Sequence, residues 1–237
     1  MKVSITMPAY NAARFIKEAI ESVLAQDYRP FELLIADDGS TDDTFKIIKD
    51  YKAHPKVRIC SNRKNLGVGA TRNKLVRLAR GEYITPCDAD DMMLPGNLKR
   101  LSVFLDAHPN TGAVYADCLV LETDKDNDLL MAPYILGKDH RKIWDLIDNP
   151  INHPGSMIRK SLILKVGGYN ENVYSVDDWD LWLRLAEITQ FKYLKGEVYY
   201  VWRRNPKSLT QTDKRWHRDY RSIIGEAIKR RYGITWK

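Results

Sequence analysis

The chain is expected to fold as an α/β protein on a mostly parallel sheet with helices on both faces. Three observations lead there. In the first half, short apolar runs alternate with amphipathic stretches of about 10 to 15 residues, the pattern of βαβ units. Runs such as Phe31–Ala36 are largely apolar, as in strands covered on both sides. Acidic pairs and triplets follow directly after those runs, at the carboxyl ends where open α/β sheets bind ligands.

The elements follow in order. Lys2–Met7 makes the first strand and Pro8 ends it. Phe15, Ile16, Ala19, Ile20, Val23 and Leu24 then recur at helical spacing. Phe31–Ala36 is the second strand, running into Asp37-Asp38-Gly39-Ser40. Ser40 and Asp43 stand at capping-box spacing before a helix carrying Phe45, Ile47, Ile48 and Tyr51. Val57–Cys60 is a third strand. Asn65-Leu-Gly-Val-Gly69 opens a helix through Leu75, Val76 and Leu78, stopped near Gly81. Glu82–Thr85 is a fourth strand and delivers Asp88-Ala-Asp-Asp91. Pro95 suits the first turn of a helix through Leu98, Leu101 and Phe104, and Ala113–Ala116 is a fifth strand.

The second half is less regular. Asp124–Asp128 reads as a charged loop and Lys142–Ile147 as a short helix. His153–Ile158 returns a strand, and Ser161–Val166 makes a helical turn ended by Gly167-Gly168. Asp178–Ile188 is a helix, with Leu181, Leu185 and Ile188 as its buried stripe. Gln190–Trp202 holds two short strands around Lys195-Gly196, and Asp213–Tyr232 is the final helix. No internal repeat or low-complexity linker divides the chain, so residues 1–237 are read as one domain with subsites meeting near residue 117.

Composition removes several classes. At 237 residues and 44% hydrophobic, with 29% charged, the chain is an ordinary globular one. No apolar run approaches the roughly 18 residues of a membrane span. The first ten residues read as a strand, not a secretory signal. Three widely spaced cysteines exclude a disulfide framework and a CxxC metal knuckle, which points to a reduced, cytoplasmic setting. The net charge is +7, but eleven basic and three acidic residues lie after position 202, leaving residues 1–202 at −1. The basic pI therefore describes the tail, not the body.

Four clusters can carry chemistry. Asp88, Asp90 and Asp91 are carboxylates that repel one another unless a cation or water intervenes. Mg²⁺ or Mn²⁺ takes one or two such ligands together with substrate phosphates; the alternative is a solvated acidic turn capping the next helix. In Asp37-Asp38-Gly39-Ser40-Thr41 a strand-end Asp can accept a hydrogen bond from a base N–H, or it can cap a helix. The stretch from Asn65 to Arg72 is neither a GxGxxG fingerprint nor a P-loop, since position 72 is Arg and no Gly-Lys-Ser/Thr closes it. Its useful group is the Arg72 guanidinium, suited to a phosphate or ribose. Asp177, Asp178 and Asp180 begin a helix whose dipole favours an ionised carboxylate, as a general base requires. Capping explains one of those three and leaves the others over.

In combination, Pro8-Ala-Tyr-Asn11, Asp37-Asp-Gly-Ser-Thr41, Asn65-x-Gly-x-Gly-Ala-x-Arg72-Asn, Asp88-Ala-Asp-Asp91, Gly167-Gly-Tyr and Asp177-Asp-Trp-Asp-Leu-Trp-Leu-Arg184 resemble the family 2 nucleotide-sugar glycosyltransferases of GT-A fold. The six segments occur in order from residue 3 to about 210. The resemblance implies a GT-A, Rossmann-like sheet with C-terminal acceptor-side elements and a terminal amphipathic helix. It divides the domain into a nucleotide-sugar half, 1–117, an acceptor half, 118–212, and a basic helix, 213–237.

The resemblance also implies roles. Asp38 would read the base, with Pro8, Ala9 and Tyr10 lining its pocket and Arg72 near the nucleotide. Asp90 would hold Mn²⁺ or Mg²⁺ on the diphosphate, with Asp88 on the ribose or the metal. Asp178 would be the base of an inverting transfer to a hydroxyl acceptor, a saccharide or a lipid-linked one, in glycan or polysaccharide synthesis. A UDP-sugar is the favoured donor, with GDP- and dTDP-sugars behind it. Asp177, Trp179, His153, Arg204 and Asn205 are candidate substrate contacts. Asn205 stands where the family often has a His, a weaker ligand in that place; a lone His such as His153 is more often structural.

Other classes fit less well. A sugar-phosphate nucleotidyltransferase needs a Gly-rich basic loop after the first strand, and Pro8-Ala-Tyr-Asn11 has no Gly. A nucleic-acid-binding module would use the basic tail but leaves three acidic clusters that repel phosphate, so no nucleic-acid partner is expected. A non-catalytic glycan-binding relic fits poorly with Asp88, Asp90 and Asp178 all present. In the tail, Trp216, Tyr220, Ile223, Ile224, Ala227 and Ile228 form one apolar stripe flanked by Arg. Such a helix at 213–232 can lie peripherally on the inner face of an anionic membrane; packing on the catalytic body is the favoured alternative.

Overall fold

Alternation along β1 (Val3–Ala9) sets the layering. Val3, Ile5 and Met7 join one core with Ile16 and Ile20 of α1 (Ile16–Leu24) and Leu98, Leu101 and Leu105 of α4 (Asn97–Ala107). β2 (Phe31–Asp37) serves both faces. Leu33 and Ile35 enter that core, while Leu34 and Ala36 enter a second. The second core includes Leu75 and Val76 of α3 (Val68–Leu78) and Leu181, Trp182 and Leu185 of α6 (Asp177–Ala186). Ile223, Ile224 and Ala227 of α7 (Trp216–Tyr232) complete it.

This computed structural model describes residues 1–123, 129–134, 151–204 and 215–233. Among them nine strands form one sheet. With β3 (Val57–Ser61), β4 (Tyr83–Pro86), β5 (Met92–Met93), β6 (Thr111–Thr123), β8 (Ser156–Arg159) and β9 (Gln190–Arg203), the order is β3-β2-β1-β4-β8-β6-β9-β5. β7 (Leu129–Tyr134) pairs with β6 outside that path. β3, β2, β1 and β4 are parallel neighbours, and β8 runs antiparallel between β4 and β6. The expected α/β architecture with helices on both faces is present; β3, β2, β1 and β4 are its parallel part, and β5, β7 and β8 join it antiparallel.

Several local expectations change. The helix after Ser40 begins only at α2 (Thr44–Lys49). Asp42 Oδ1 accepts from Thr44 N at 3.0 Å, while Ser40 Oγ accepts from Asn11 N at 3.0 Å. The fifth strand is much longer than four residues, because β6 gains β7, β8 and β9 as partners along its length. The two strands around Lys195-Gly196 are one, β9, whose register against β6 shifts between Ala116 and Asp117. Asp117 pins that bulge, accepting from Gly196 N at 2.9 Å and from the Tyr193 hydroxyl at 2.7 Å. Ile188 lies beyond α6 and is exposed.

In the tail the packed alternative holds for Ile223, Ile224 and Ala227, which are buried against the body. Among the described residues no helix is long and apolar enough to cross a membrane. The expected loop at 124–128, the expected helix at 142–147 and the start of the final helix at 213–214 lie outside the described residues.

α3 returns to the sheet through a tight neck at Gly81. Gly81 N donates to Ser4 Oγ at 2.8 Å, and Ser4 Oγ donates to buried Glu32 at 2.7 Å. A Cβ on Gly81 would lie 2.5 Å from Ser4 N and 2.8 Å from the Val3 carbonyl carbon, both rigid strand atoms. Gly81→Ala is therefore expected to cost about 1–3 kcal/mol, seen in calorimetry as a melting temperature lower by roughly 2–10 °C. An unchanged melting temperature would contradict this close approach.

Candidate active site

Because β1, β2 and β4 are parallel, their carboxyl ends share one edge of the sheet. Ala9 pairs with Asp37 in register, and Thr6 with Pro86, two residues before Asp88. Pro8 is half-buried, Ala9 buried, and Tyr10 opens to solvent at 46% exposure. Asn11 follows with φ +49°. Its side-chain oxygen accepts from Thr41 N at 2.8 Å, which joins the β1 and β2 loops.

Asp38 is buried just past the end of β2. Its Oδ1 accepts from Asn62 Nδ2 at 2.7 Å and from Leu66 N at 3.0 Å, and its Oδ2 from Gly67 N at 3.0 Å. The carboxylate thus shapes the entrance to α3, where Gly67 takes φ +92°. A carboxylate offers about four acceptor directions, so Oδ2 retains capacity for one more donor. Asp37 beside it is buried, and its Oδ1 has no hydrogen-bond partner among the described residues.

Arg72 holds the two halves of the site together. It is only 6% exposed. Nη1 donates to Asp177 Oδ2 and Nη2 to Asp88 Oδ1, each at 2.8 Å. Both terminal nitrogens of the group expected to clamp a phosphate or ribose are engaged by carboxylates. Asp177, also a candidate substrate contact, is a buried partner of that guanidinium. Asn73 extends the junction. Its Nδ2 donates to Tyr169 O at 2.9 Å and its Oδ1 accepts from Tyr169 N at 2.7 Å. A Cβ on Gly168 would fall 2.4 Å from Asn73 Oδ1, which accounts for the glycine at that position.

Asp178 is the second residue of α6 and half-buried. Its Oδ1 accepts from Trp179 N at 2.8 Å. Among the described residues no cation pairs with it, whereas Asp180 takes Arg184 at 2.6 Å and Asp177 takes Arg72. Burial and the neighbouring Asp177 charge push its carboxyl up to about 7. Trp179 is buried against Tyr220 of α7, centroids 5.0 Å apart.

The second acidic group lies at the end of β4. Burial and the Asp88 charge push Asp90 up to about 6. Asp91 is buried, accepting from Arg203 N at 2.8 Å and the Tyr200 hydroxyl at 3.1 Å; burial and Asp90 hold its carboxyl well above the usual range. Arg203 Nε donates to Asp90 O at 2.9 Å and Nη2 to Glu18 at 2.6 Å, so β9 fastens the acidic turn. Tyr200, Arg203 and Asn73 act here as structural supports, a role set by partners far away in sequence. Only their proximity in the fold identifies them.

Among the described residues no three His, Cys, Asp or Glu side chains form a ready metal cage. The donor chemistry still suits Mg²⁺ or Mn²⁺. Asp88 and Asp90 are oxygen ligands whose mutual repulsion a cation would relieve, and these ions take one or two carboxylates with phosphate oxygens completing the shell. His153 is corrected to a core residue. It is buried, its Nε2 lies 2.9 Å from the Tyr169 hydroxyl, and it meets Trp182 edge-on; burial keeps the ring neutral. Arg204 is exposed and pairs with Glu122. Asn205 lies outside the described residues.

Residues 4–167 match the family described as glycosyl transferase family 2. The chondroitin synthase of Escherichia coli is 33% identical over 83% of this chain; the match spans only 28% of that protein's length. Among solved structures, S. aureus TarS 1-349 in complex with UDP-GlcNAc superposes with a TM-score of 0.79 at 22% identity, covering 97% of this chain and 67% of that one. The mannosyltransferase PcManGT from Pyrobaculum calidifontis, in complex with GDP-Man and Mn²⁺, gives 0.65 at 20% identity, covering 96% of this chain and 61% of that one. Both structures share the GT-A fold expected above.

Removing the Arg72 cation leaves Asp177 and Asp88 facing each other without compensation. Arg72→Leu is expected to lose about 3 kcal/mol at pH 8 and less at pH 5, where the buried Asp177 carboxyl, already raised by desolvation, takes up a proton. Urea unfolding at the two pH values measures both. A loss independent of pH would contradict the ion-pair account.

Proposed function

The chain belongs to glycosyl transferase family 2, and from that premise we propose that it moves a sugar from a nucleoside-diphosphate donor to a hydroxyl acceptor, with inversion. A UDP-sugar is the favoured donor, GDP- and dTDP-sugars the alternatives, and the acceptor is a saccharide or a lipid-linked saccharide. The observation that carries this reading is the state of Asp178: at a helix N-terminus, without a cation partner among the described residues, and pushed up to about 7. A general base works best when its pKa lies near the working pH.

In this scheme Asp178 accepts the proton of the acceptor hydroxyl as that oxygen bonds to the anomeric carbon. The bond from that carbon to the diphosphate oxygen breaks on the opposite face. Arg72 keeps the first turn of α6 and Asp88 at fixed separation while charge moves onto the leaving group. Tyr10, exposed at the end of β1, offers a ring face for the nucleobase, and Asp38 Oδ2 an acceptor for its N–H. Asp90, with Asp88, would hold a divalent cation, which when bound neutralises diphosphate charge. TarS and PcManGT, crystallised with UDP-GlcNAc and with GDP-Man and Mn²⁺, support a nucleotide-sugar donor here.

Asp178→Asn is expected to keep donor binding and lower transfer at least about 100-fold. In the wild-type chain, turnover should rise with pH through about 7 as Asp178 ionises. Near-normal turnover in the variant removes Asp178 from the mechanism. The same raised pKa means that the folded chain holds this proton more tightly than the unfolded one. Stability therefore falls as pH climbs from the ordinary carboxylate range through about 7, and Asp178→Asn should melt higher than wild type at pH 8.

A thermal-shift panel of UDP, GDP and dTDP with and without Mn²⁺ tests the donor. A ligand at 100 times its Kd adds about 2.7 kcal/mol, or roughly 5–10 °C. Asp90→Ala should abolish the Mn²⁺-dependent part of that shift. No shift with any nucleotide defeats the proposal.

A further inference from the structure

α7 and the base-bearing turn of α6 both lie beyond residue 167, where the family match ends. Three contacts connect them. Asp219 of α7 is 3% exposed, and its Oδ2 accepts from Tyr174 N at 2.9 Å. Its Oδ1 accepts from Arg218 Nε at 3.0 Å and Nη2 at 2.8 Å. The Arg215 guanidinium stands 3.4 Å from the centroid of the Tyr174 ring. One residue further along α7, Tyr220 packs on Trp179, whose amide donates to Asp178. The chain is therefore held by α7 four residues before Asp178 and again one residue after it.

Packing alone does not call for a carboxylate at position 219. A buried apolar side chain would attach α7 with no desolvation cost. A carboxylate aimed at one loop amide fixes a position as well as a contact, because a hydrogen bond is directional and apolar burial is not. Reaction geometry is sensitive at that scale: a displacement of about 1 Å can cost 100-fold in rate.

We infer that Asp219 is a positioning residue for the reaction, acting through Tyr174 and, with Tyr220, through Trp179 to fix where α6 presents Asp178 to the acceptor. This inference rests on Asp178 being the base. The charged groups acting on Asp178 are Asp177, Arg72 and Asp88. None of them belongs to α7, so a change at position 219 reaches Asp178 through placement and hydration, not through direct charge.

The test uses the full chain as wild type, Asp219→Ala, Asp219→Asn and, as a control, Arg221→Ala, exposed on the same helix. Hydrogen exchange of residues 174–182 is followed together with the pH profile of UDP release from UDP-N-acetylglucosamine. For Asp219→Ala, exchange in 174–182 should accelerate about tenfold, and kcat should fall roughly tenfold with the donor KM unchanged within about twofold. The acid limb of the profile should move to lower pH as water reaches Asp178. Asp219→Asn keeps an acceptor for Tyr174 N and should recover most of the loss, while Arg221→Ala should match wild type.

Wild-type exchange and profile in Asp219→Ala overturn the inference, as does a raised KM with kcat intact. If Asp219→Ala does not fold, Tyr220→Leu loosens Trp179 without touching the buried charge. It should lower kcat about threefold with the same shift of the acid limb, and wild-type kinetics there overturn the inference. A wild-type chain that releases no UDP, GDP or dTDP from the corresponding sugar donors refutes the transfer reading instead. The exchange comparison then still decides whether Asp219 holds the loop.

Discussion

The site depends on one guanidinium placed between two carboxylates. Arg72 sits on α3, Asp88 follows β4 16 positions on, and Asp177 begins α6 105 positions on, and all three meet within hydrogen-bond distance. Without a cation there, burying Asp177 beside Asp178 and Asp88 would place like charges in a poorly solvated corner. With it, Asp177 is neutralised in place and Asp178 is left as the carboxylate of that turn without a cation partner among the described residues. One interaction thus joins the turn after β4 to the helix that carries the proposed base, and separates the roles of two adjacent aspartates.

The fold was legible where periodicity carries it. Val3, Ile5 and Met7 on one face, and Ile16, Ala19, Ile20 and Val23 on another, declare a strand and a helix through spacing alone. Strand order is different. Nothing in Ser156–Arg159 states that it will insert antiparallel between β4 and β6, since that depends on which edges remain open after the first four strands pair. The bulge in β9 was read as a break because Gly196, with φ +76°, carries the composition of a turn. Its partner Asp117 lies 79 residues away and gives no local sign.

The site was legible in membership more than in role. The acidic clusters and the Arg72 segment do converge on one edge. A guanidinium, however, binds phosphate and carboxylate with the same fork, so sequence could not decide what Arg72 holds. His153 illustrates the reverse case. Its surroundings, Tyr169 and Trp182, come from segments 16 and 29 positions onward, and only their convergence makes the ring a neutral core residue. Asp38 was expected to meet a ligand, and its oxygens are shared with three donors of the α3 entrance, so any base it reads is read by a group the fold has already oriented.

The placement of β8 has a consequence for how this chain can be divided. Both its edges are committed, one to β4 in the first half and the other to β6 in the second. A fragment cut between the halves would leave β4 with a row of bare amides and carbonyls, a template for adhesion to other chains. The N-terminal portion is thus not a portable cassette, and modular exchange among such proteins must carry the interlocked strands across as a unit.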